Sequence, residues 1–271
     1  MRAAFLLLCL VALGMPPVRA CGPDTDCTIA QGSYRLRTPP GWDGQAALPV
    51  LVFFHGYKGS AAGTMRDRGL GDLLAGRGIL LVAPDGLDGS WNFLGSPDQP
   101  RDDVAFTRAV LDDVATRLPI DRTRLWASGF SLGGSMVWAI ACTAPDLFAG
   151  YAPVAGAFWD PLPTRCAGPV DLVHVHGLSD PIMPLEGRPI AGQWHQGDLF
   201  QSFAVLRATD GCARPPSGFS SEGPLICRTW DGCASGKALR MCLHPFGHDW
   251  RPAWLESALG WLATRPGGAA D

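Results

Sequence analysis

The chain has 271 residues, 22 Lys and Arg against 25 Asp and Glu, and a formal charge of −3; 47% of its residues are hydrophobic and 17% charged. That balance excludes an intrinsically disordered chain, and the near-neutral charge excludes the basic footprint of a nucleic-acid or anionic-lipid binder. Beyond the N-terminus no stretch approaches the roughly 20 apolar residues that span a bilayer, so no membrane span is expected.

Met1-Arg2 starts basic, Ala3–Leu13 is apolar, Gly14-Met15-Pro16-Pro17 breaks the run, and Val18-Arg19-Ala20 offers small residues at positions −3 and −1 of a cleavage site. This is the pattern of a secretory leader, so residues 1–20 are expected to be a signal peptide and the protein to be secreted or periplasmic. Removing the leader takes Cys9 and leaves Cys21, Cys27, Cys142, Cys166, Cys212, Cys227, Cys233 and Cys242. An even count in an exported chain predicts disulfides, with Cys21–Cys27 as a local bridge and the other pairings open. No Cys-x2-Cys spacing points to zinc, and no metal site is expected. A lipoprotein anchored through Cys21 is the alternative; Arg19 suits that signal poorly, and lipidation would leave seven Cys, one without a mate.

Residues 21–265 are expected to form a single α/β domain, followed by a flexible tail over 266–271. Short apolar runs predict buried strands at Val50–Phe54, Ile79–Ala83, Arg124–Ser128, Gly150–Ala155 and Val170–Val175. Between them, helical patterns cover Ala61–Ala75, Asp102–Leu118, Leu132–Ala144 and His195–Ala208, with Val104, Val110, Leu111, Val114 and Leu118 marking one apolar face of the second. Leu225–Trp230 and Ala238–Leu243 flank a turn and read as a hairpin carrying three Cys, and Arg251–Thr264 reads as the closing helix. Strand–helix alternation predicts a mostly parallel central sheet with helices on both faces, whose ligand sites lie at the carboxyl ends of the strands.

Gly129-Phe130-Ser131-Leu132-Gly133 sits at such a strand-to-helix turn. A turn this tight strains its central residue and presents the serine hydroxyl at the top of the sheet, near the positive end of the next helix. Serine needs a base, because its hydroxyl is a poor nucleophile at neutral pH. His248, in the loop between the last strand and the last helix, is the candidate; His174 and His176 lie on a strand and are read as structural, and His195 and His244 fit less well. The base needs an acid to fix its tautomer and stabilise the imidazolium. Asp180, following a strand in His176-Gly177-Leu178-Ser179-Asp180, is the candidate, with Asp160 its best competitor. Asp249 adjoins the histidine and should point elsewhere, while Asp198, Asp210 and Asp231 are read as solvated. The order Ser131, Asp180, His248 is that of the α/β-hydrolase fold. An oxyanion hole is expected from the N–H groups of Leu132 and Tyr57, the latter in Phe54-His55-Gly56-Tyr57, where His55 braces the loop. Trp91, Phe158 and Trp250 are candidates for substrate contact, and Asp102 and Asp103 for capping a helix.

Phe54-His55-Gly56, Pro84-Asp85-Gly86, Arg101-Asp102-Asp103-Val104, Gly129–Met136, His176–Asp180 with Pro184 and Gly187, and Gly247-His248-Asp249-Trp250 occur together in this order. In them the sequence resembles the secreted α/β-hydrolases grouped as polyhydroxybutyrate depolymerase-like and feruloyl esterase-like (carbohydrate esterase family 1), from about Gly32 to Trp254. The resemblance implies Ser131 as nucleophile, Asp180 as acid, His248 as base and Tyr57 as oxyanion donor, at a position where the family often has Cys. Trp250-Arg251-Pro252 stands where the family commonly has Trp-Pro-Gly. The expectation is a cofactor-independent, monomeric serine esterase acting on small or polymeric esters: short hydroxyacyl esters, or feruloyl and acetyl groups on polysaccharide. A non-catalytic binding protein and a secreted serine peptidase of the same fold are the alternatives.

Overall fold

The computed structural model describes residues 21–97 and 100–265. The expected signal peptide with Cys9, and the expected tail over 266–271, lie outside the described residues. In chain order the elements are β1 (Cys27–Ile29), β2 (Gly32–Arg37), β3 (Leu48–Phe54), α1 (Ala61–Arg66), α2 (Arg68–Gly76), β4 (Leu80–Pro84), α3 (Asp103–Arg117), β5 (Ile120–Phe130) and α4 (Leu132–Thr143). Then follow β6 (Gly150–Val154), β7 (Leu172–Gly177), β8 (Arg188–Ile190), β9 (Trp194–Gln196), α5 (Leu199–Asp210), β10 (Gly218–Glu222), β11 (Leu225–Trp230), β12 (Leu239–His244) and α6 (Pro252–Leu262).

The main sheet runs β1-β2-β4-β3-β5-β6-β7-β12-β11-β10. From β4 to β12 neighbouring strands are parallel, and the outer pairs are antiparallel. Side chains alternate across it, as the two-residue period requires. Val50, Val52 and Phe54 of β3 pack into the core that holds Phe106, Val110 and Val114 of α3, Met136 and Ile140 of α4, and Phe203 of α5. Leu51 and Phe53 face the opposite core, with Met65, Leu70, Leu74, Trp254 and Leu255 of α1, α2 and α6. Both faces are covered, which is why β4, β6 and β7 are buried throughout. On β3 the chain passes to β4 on one side and then to β5 on the other, so the carboxyl ends of β3 and β5 flank a topological switch point.

Several boundaries differ from expectation for local reasons. The single helix expected over 61–75 is two helices, because Asp67 adopts an extended conformation that ends α1, and its carboxylate accepts from Leu70 N–H to start α2. The helix expected from His195 begins at Leu199, capped by Asp198, while residues 194–196 form β9. Asp103 does more than complement a helix end: it is fully buried, its carboxylate 2.5 Å from Arg101 Nε and 2.6 Å from Asn92 N. Asp210 is also buried, not solvated. Asp102 caps α3 as expected, accepting from Val104 and Ala105 N–H.

The eight cysteines of the described chain form four bridges: Cys21–Cys27, Cys142–Cys166, Cys212–Cys233 and Cys227–Cys242. The first is the local bridge expected from spacing, and it occupies the Cys21 sulfur that lipidation would need. No helix of the described residues is long and apolar enough to cross a membrane.

Candidate active site

Ser131 joins β5 to α4 with φ 59° and ψ −122°, a region that costs an ordinary residue about 1–3 kcal/mol. Glycine makes the turn possible. A Cβ at Gly129 would overlap the Gly133 carbonyl, and one at Gly133 would overlap the carbonyl oxygens of Phe54 and His55 at the end of β3. Ser131 N–H donates to Val154 O at 3.0 Å, and Ser131 O accepts from Ser135 N–H at 3.0 Å, so the main chain is held on both sides. Although Ser131 stands at the N-cap of α4, its side chain caps nothing. Leu132 N–H opens that helix and has no intrahelical acceptor.

Asp180 and His248 are brought together by neighbouring parallel strands, β7 and β12, whose carboxyl ends pair Gly177 with His244. Leu178 N–H donates to His244 O at 2.8 Å and Ser179 N–H to Phe246 O at 3.2 Å, so the two following loops abut. At their junction His248 Nδ1 lies 2.7 Å from Asp180 Oδ2. The other carboxylate oxygen accepts from Ile182 and Met183 N–H, each at 2.8 Å. Burial pushes the Asp180 carboxyl up, but the hydrogen bonds from His248, Met183 and Ile182 outweigh it and hold the group below its ordinary value. The carboxylate is therefore ionised and accepts the Nδ1 proton of His248, which leaves Nε2 on the edge of the ring away from Asp180. The His248 ring packs at 4.6 Å against Phe130, the residue before Ser131. Ser131 Oγ and His248 Nε2 have no hydrogen bond among the described residues; such contacts commonly tighten only when substrate binds.

The loop after β3 is braced as expected of His55. Its Nδ1 lies 2.8 Å from Gly56 O, and its Nε2 accepts from Gly86 N–H at 2.9 Å. Burial lowers its pKa and keeps it neutral, the state these partners require. Lys58 N–H is taken by Gly89 O and Gly59 N–H by Gly56 O. Tyr57 N–H engages no acceptor among the described residues, like Leu132 N–H.

A cavity of about 350 Å³ opens at Ser131, Leu132 and Tyr57, walled by Trp159, Ile182, Met183, Ile190, Trp194 and Gln196. A larger depression of about 650 Å³ lies beside Arg101 and Phe158 and does not include Ser131. None of the three aromatic residues expected at the substrate lines the Ser131 cavity. Trp91 is fully buried, donating from Nε1 to His55 O and packing on Phe54. Phe158 is buried against Trp138 and walls the larger depression. Trp250 donates to Asp67 Oδ2, packs on Phe53 and walls a shallow hollow with Phe130. The tryptophans that line it are Trp159 and Trp194. The short β8–β9 pair that carries Ile190, Trp194 and Gln196 is too brief to show a period, and that hid it from sequence reading.

The competing acids and bases go elsewhere. Asp160 lies 2.8 Å from His195, both near half-exposed. Asp249 pairs with Arg251, and His244 stacks on Trp254 at 3.9 Å. His176 Nε2 is 2.7 Å from Met183 O behind Asp180. Among the described residues no three His, Cys, Asp or Glu side chains gather as metal ligands.

No family model matches the chain. Feruloyl esterase C of Emericella nidulans is 27% identical over 283 residues, covering 97% of this chain and 97% of that protein. Feruloyl esterase D of Neurospora crassa is 26% identical over 276 residues, 90% of this chain and 88% of that protein. NocK of Nocardia uniformis subsp. tsuyamanensis, which carries an esterase name, is 34% identical over 161 residues, 57% of this chain; the match spans about half of that protein, 47%. These relatives support an α/β-hydrolase esterase of the feruloyl esterase group. The esterase relatives, matched over nearly the whole chain, support a carboxylic ester hydrolase. Its fold agrees: the acetyl xylan esterase from Aspergillus awamori superposes with a TM-score of 0.64 over 90% of this chain and 96% of that one, at 14% identity.

Proposed function

We propose that this esterase works through a serine acyl-enzyme, with Ser131 as nucleophile, His248 as base and Asp180 as the acid that orients it. Ser131 Oγ attacks the ester carbonyl while His248 Nε2 takes its proton. The tetrahedral oxyanion rests on the N–H groups of Tyr57 and Leu132, each worth about 3–4 kcal/mol in the transition state. His248 then protonates the leaving alcohol and activates the water that frees the acid. The observation that carries this reading is the pairing of the strained Ser131 turn with the 2.7 Å His248–Asp180 contact across Phe130.

The relatives' names point to feruloyl esters, and the esterase of similar fold to acetyl groups on xylan; short hydroxyacyl esters fit the small cavity as well. Four disulfides and the leader-like residues 1–20 support export from the cytoplasm. The test is initial rates on methyl ferulate, acetylated xylan, p-nitrophenyl butyrate and a soluble 3-hydroxybutyrate oligomer. Turnover of at least one above the Ser131→Ala background is expected. Equal background rates on every ester would overturn the reading in favour of a binding protein.

A further inference from the structure

Among the described residues, Arg188 is the one charged side chain in the wall of the cavity at Ser131. Strand β8 pairs with β9 so that Arg188 stands opposite Gln196 and Ile190 opposite Trp194. Opposed residues share a face of the ladder, and all four line the cavity, while Pro189 and His195 fall on the other face. The entry to β8 is fixed: Gly187 has φ 74°, and a Cβ there would overlap the Gln196 carbonyl. Arg188 itself is half-buried, and its Nε–H donates at 2.8 Å to the carbonyl of Ile182, another wall residue.

That bond uses Nε alone. Among the described residues Nη1 and Nη2 meet no acceptor, no carboxylate and no aromatic ring. The acids of the neighbouring loops are engaged elsewhere: Asp160 with His195, Asp180 with His248, and Asp198 with Gln201 N–H. Glu186 is exposed and forms no ion pair. The wall is otherwise mostly apolar, with Leu132, Ile182, Met183, Ile190 and Trp194 among its residues. A cation anchored in such a wall without a counter-charge is a receptor for an anion. The planar guanidinium fork matches the two oxygens of a carboxylate, and charge-assisted hydrogen bonds of this kind are about twice as strong as neutral ones.

We propose that Arg188 is a specificity-determining residue that binds a carboxylate carried by the ester substrate. This rests on the serine-esterase reading above and narrows its substrate class to esters bearing an anionic group a short distance from the scissile bond. The carboxylate can sit on the acyl half, as in a half ester of a dicarboxylic acid, or on the alcohol half, as in an acylated hydroxy acid. Matched pairs separate the two: methyl hydrogen succinate against methyl succinamate, and 3-acetoxybutyrate against 3-acetoxybutyramide, a neutral amide replacing the carboxylate in each. The readout is the ratio of kcat/KM within a pair, carboxylate over amide, compared between wild type and variant. An overall loss from disturbing the wall or the Ile182 contact cancels in that ratio, and so does the intrinsic reactivity of each ester. Arg188→Gln should lower the ratio by about tenfold or more in one pair. Arg188→Lys, which keeps the charge without the fork, should lower it less. Ratios unchanged in both pairs by Arg188→Gln would overturn the proposal and leave Arg188 a brace for the loop at Ile182. Binding supplies a readout that needs neither turnover nor an Arg188 variant. In Ser131→Ala, titration followed by tryptophan fluorescence should show one carboxylate bound about tenfold or more tighter than its amide. Equal affinities in both pairs would overturn the proposal whatever the esterase rates; a carboxylate preference without turnover of any ester by the wild type would support it while the serine-esterase reading failed.

Discussion

His174 Nε2 lies 2.9 Å from His176 Nδ1, deep in the sheet behind the candidate acid. Trp138 Nε1–H donates to His174 Nδ1 at 3.3 Å, so the His174 proton must sit on Nε2 and point to His176; the His176 proton then sits on its own Nε2 and points to Met183 O. The row therefore runs in one direction from Trp138 to the loop whose N–H groups hold Asp180. Both rings are neutral, and burial lowers both pKa values, that of His174 far below the usual range.

This row makes the fold sensitive to acid. Unfolded histidines take up protons near pH 6.5, whereas these rings in the folded protein do not, and His244 is pushed down to about 4, mainly by burial. The stability that these histidines contribute is complete above about pH 6.5 and falls as pH drops below it. The urea midpoint should be clearly lower at pH 5 than at pH 7.5. His174→Leu, which strands the Trp138 N–H and one nitrogen of His176, should cost about 2–4 kcal/mol at pH 7.5 and flatten the profile. An unchanged profile in that variant would contradict the directed row.

Asp210 has the opposite sign. Burial raises its pKa to about 7, and Asp171 adds to the effect. Between about pH 4 and pH 7 the folded chain keeps a proton that the unfolded chain has lost, so this residue lowers stability as pH rises through that window. Asp210→Asn cannot ionise and should gain about 1–3 kcal/mol relative to wild type on going from pH 4 to pH 8, read from paired denaturant curves. A difference independent of pH would show that Asp210 titrates normally.

Cys227 and Cys242 face each other across β11 and β12, the hairpin that ends at the loop bearing His248. A bridge closing a loop of this length is worth about 3 kcal/mol. The Cys227→Ala/Cys242→Ala double variant should lose about that much in chemical denaturation while keeping most of its ester turnover at 25 °C. A loss below about 0.5 kcal/mol would mean that strand pairing alone holds this edge.

Asp180→Asn keeps the shape of the acid but removes its charge, and it can present an N–H to His248 in place of an acceptor. The imidazole then loses its oriented tautomer, and kcat should fall by about 10²–10⁴ with folding preserved. Circular dichroism together with rates on p-nitrophenyl butyrate separates the two effects. Loss of less than about threefold would remove Asp180 from the acid position.

Local pattern carried much of this architecture. The buried runs at Val50–Phe54 and Gly150–Ala155 and the apolar face of Asp102–Leu118 announce their elements, because burial on both sheet faces and the helical repeat leave a mark on every residue. The turn at Ser131 was equally open to reading, since Gly129 and Gly133 answer steric demands that no other residue meets. The cavity wall was not. Gln196, at the end of β9, and Trp159 meet through a single bridge, and neither a period nor a spacing records which side chains such a tertiary contact will bring to a cavity wall. Trp91 misleads for the same reason: its apolar bulk suits core and substrate alike, and only the hydrogen bond to His55 O shows that it braces the loop from inside.

Covalent labelling of Ser131 tests the central claim most directly. Incubation with a fluorophosphonate, followed by intact-mass and peptide mapping, should give one phosphonyl adduct located on Ser131. The adduct should be absent in Ser131→Ala and strongly slowed in His248→Ala, because the hydroxyl reacts only when the base takes its proton. An unlabelled wild type, or an adduct on another residue that persists in Ser131→Ala, would contradict a serine acyl-enzyme at this site.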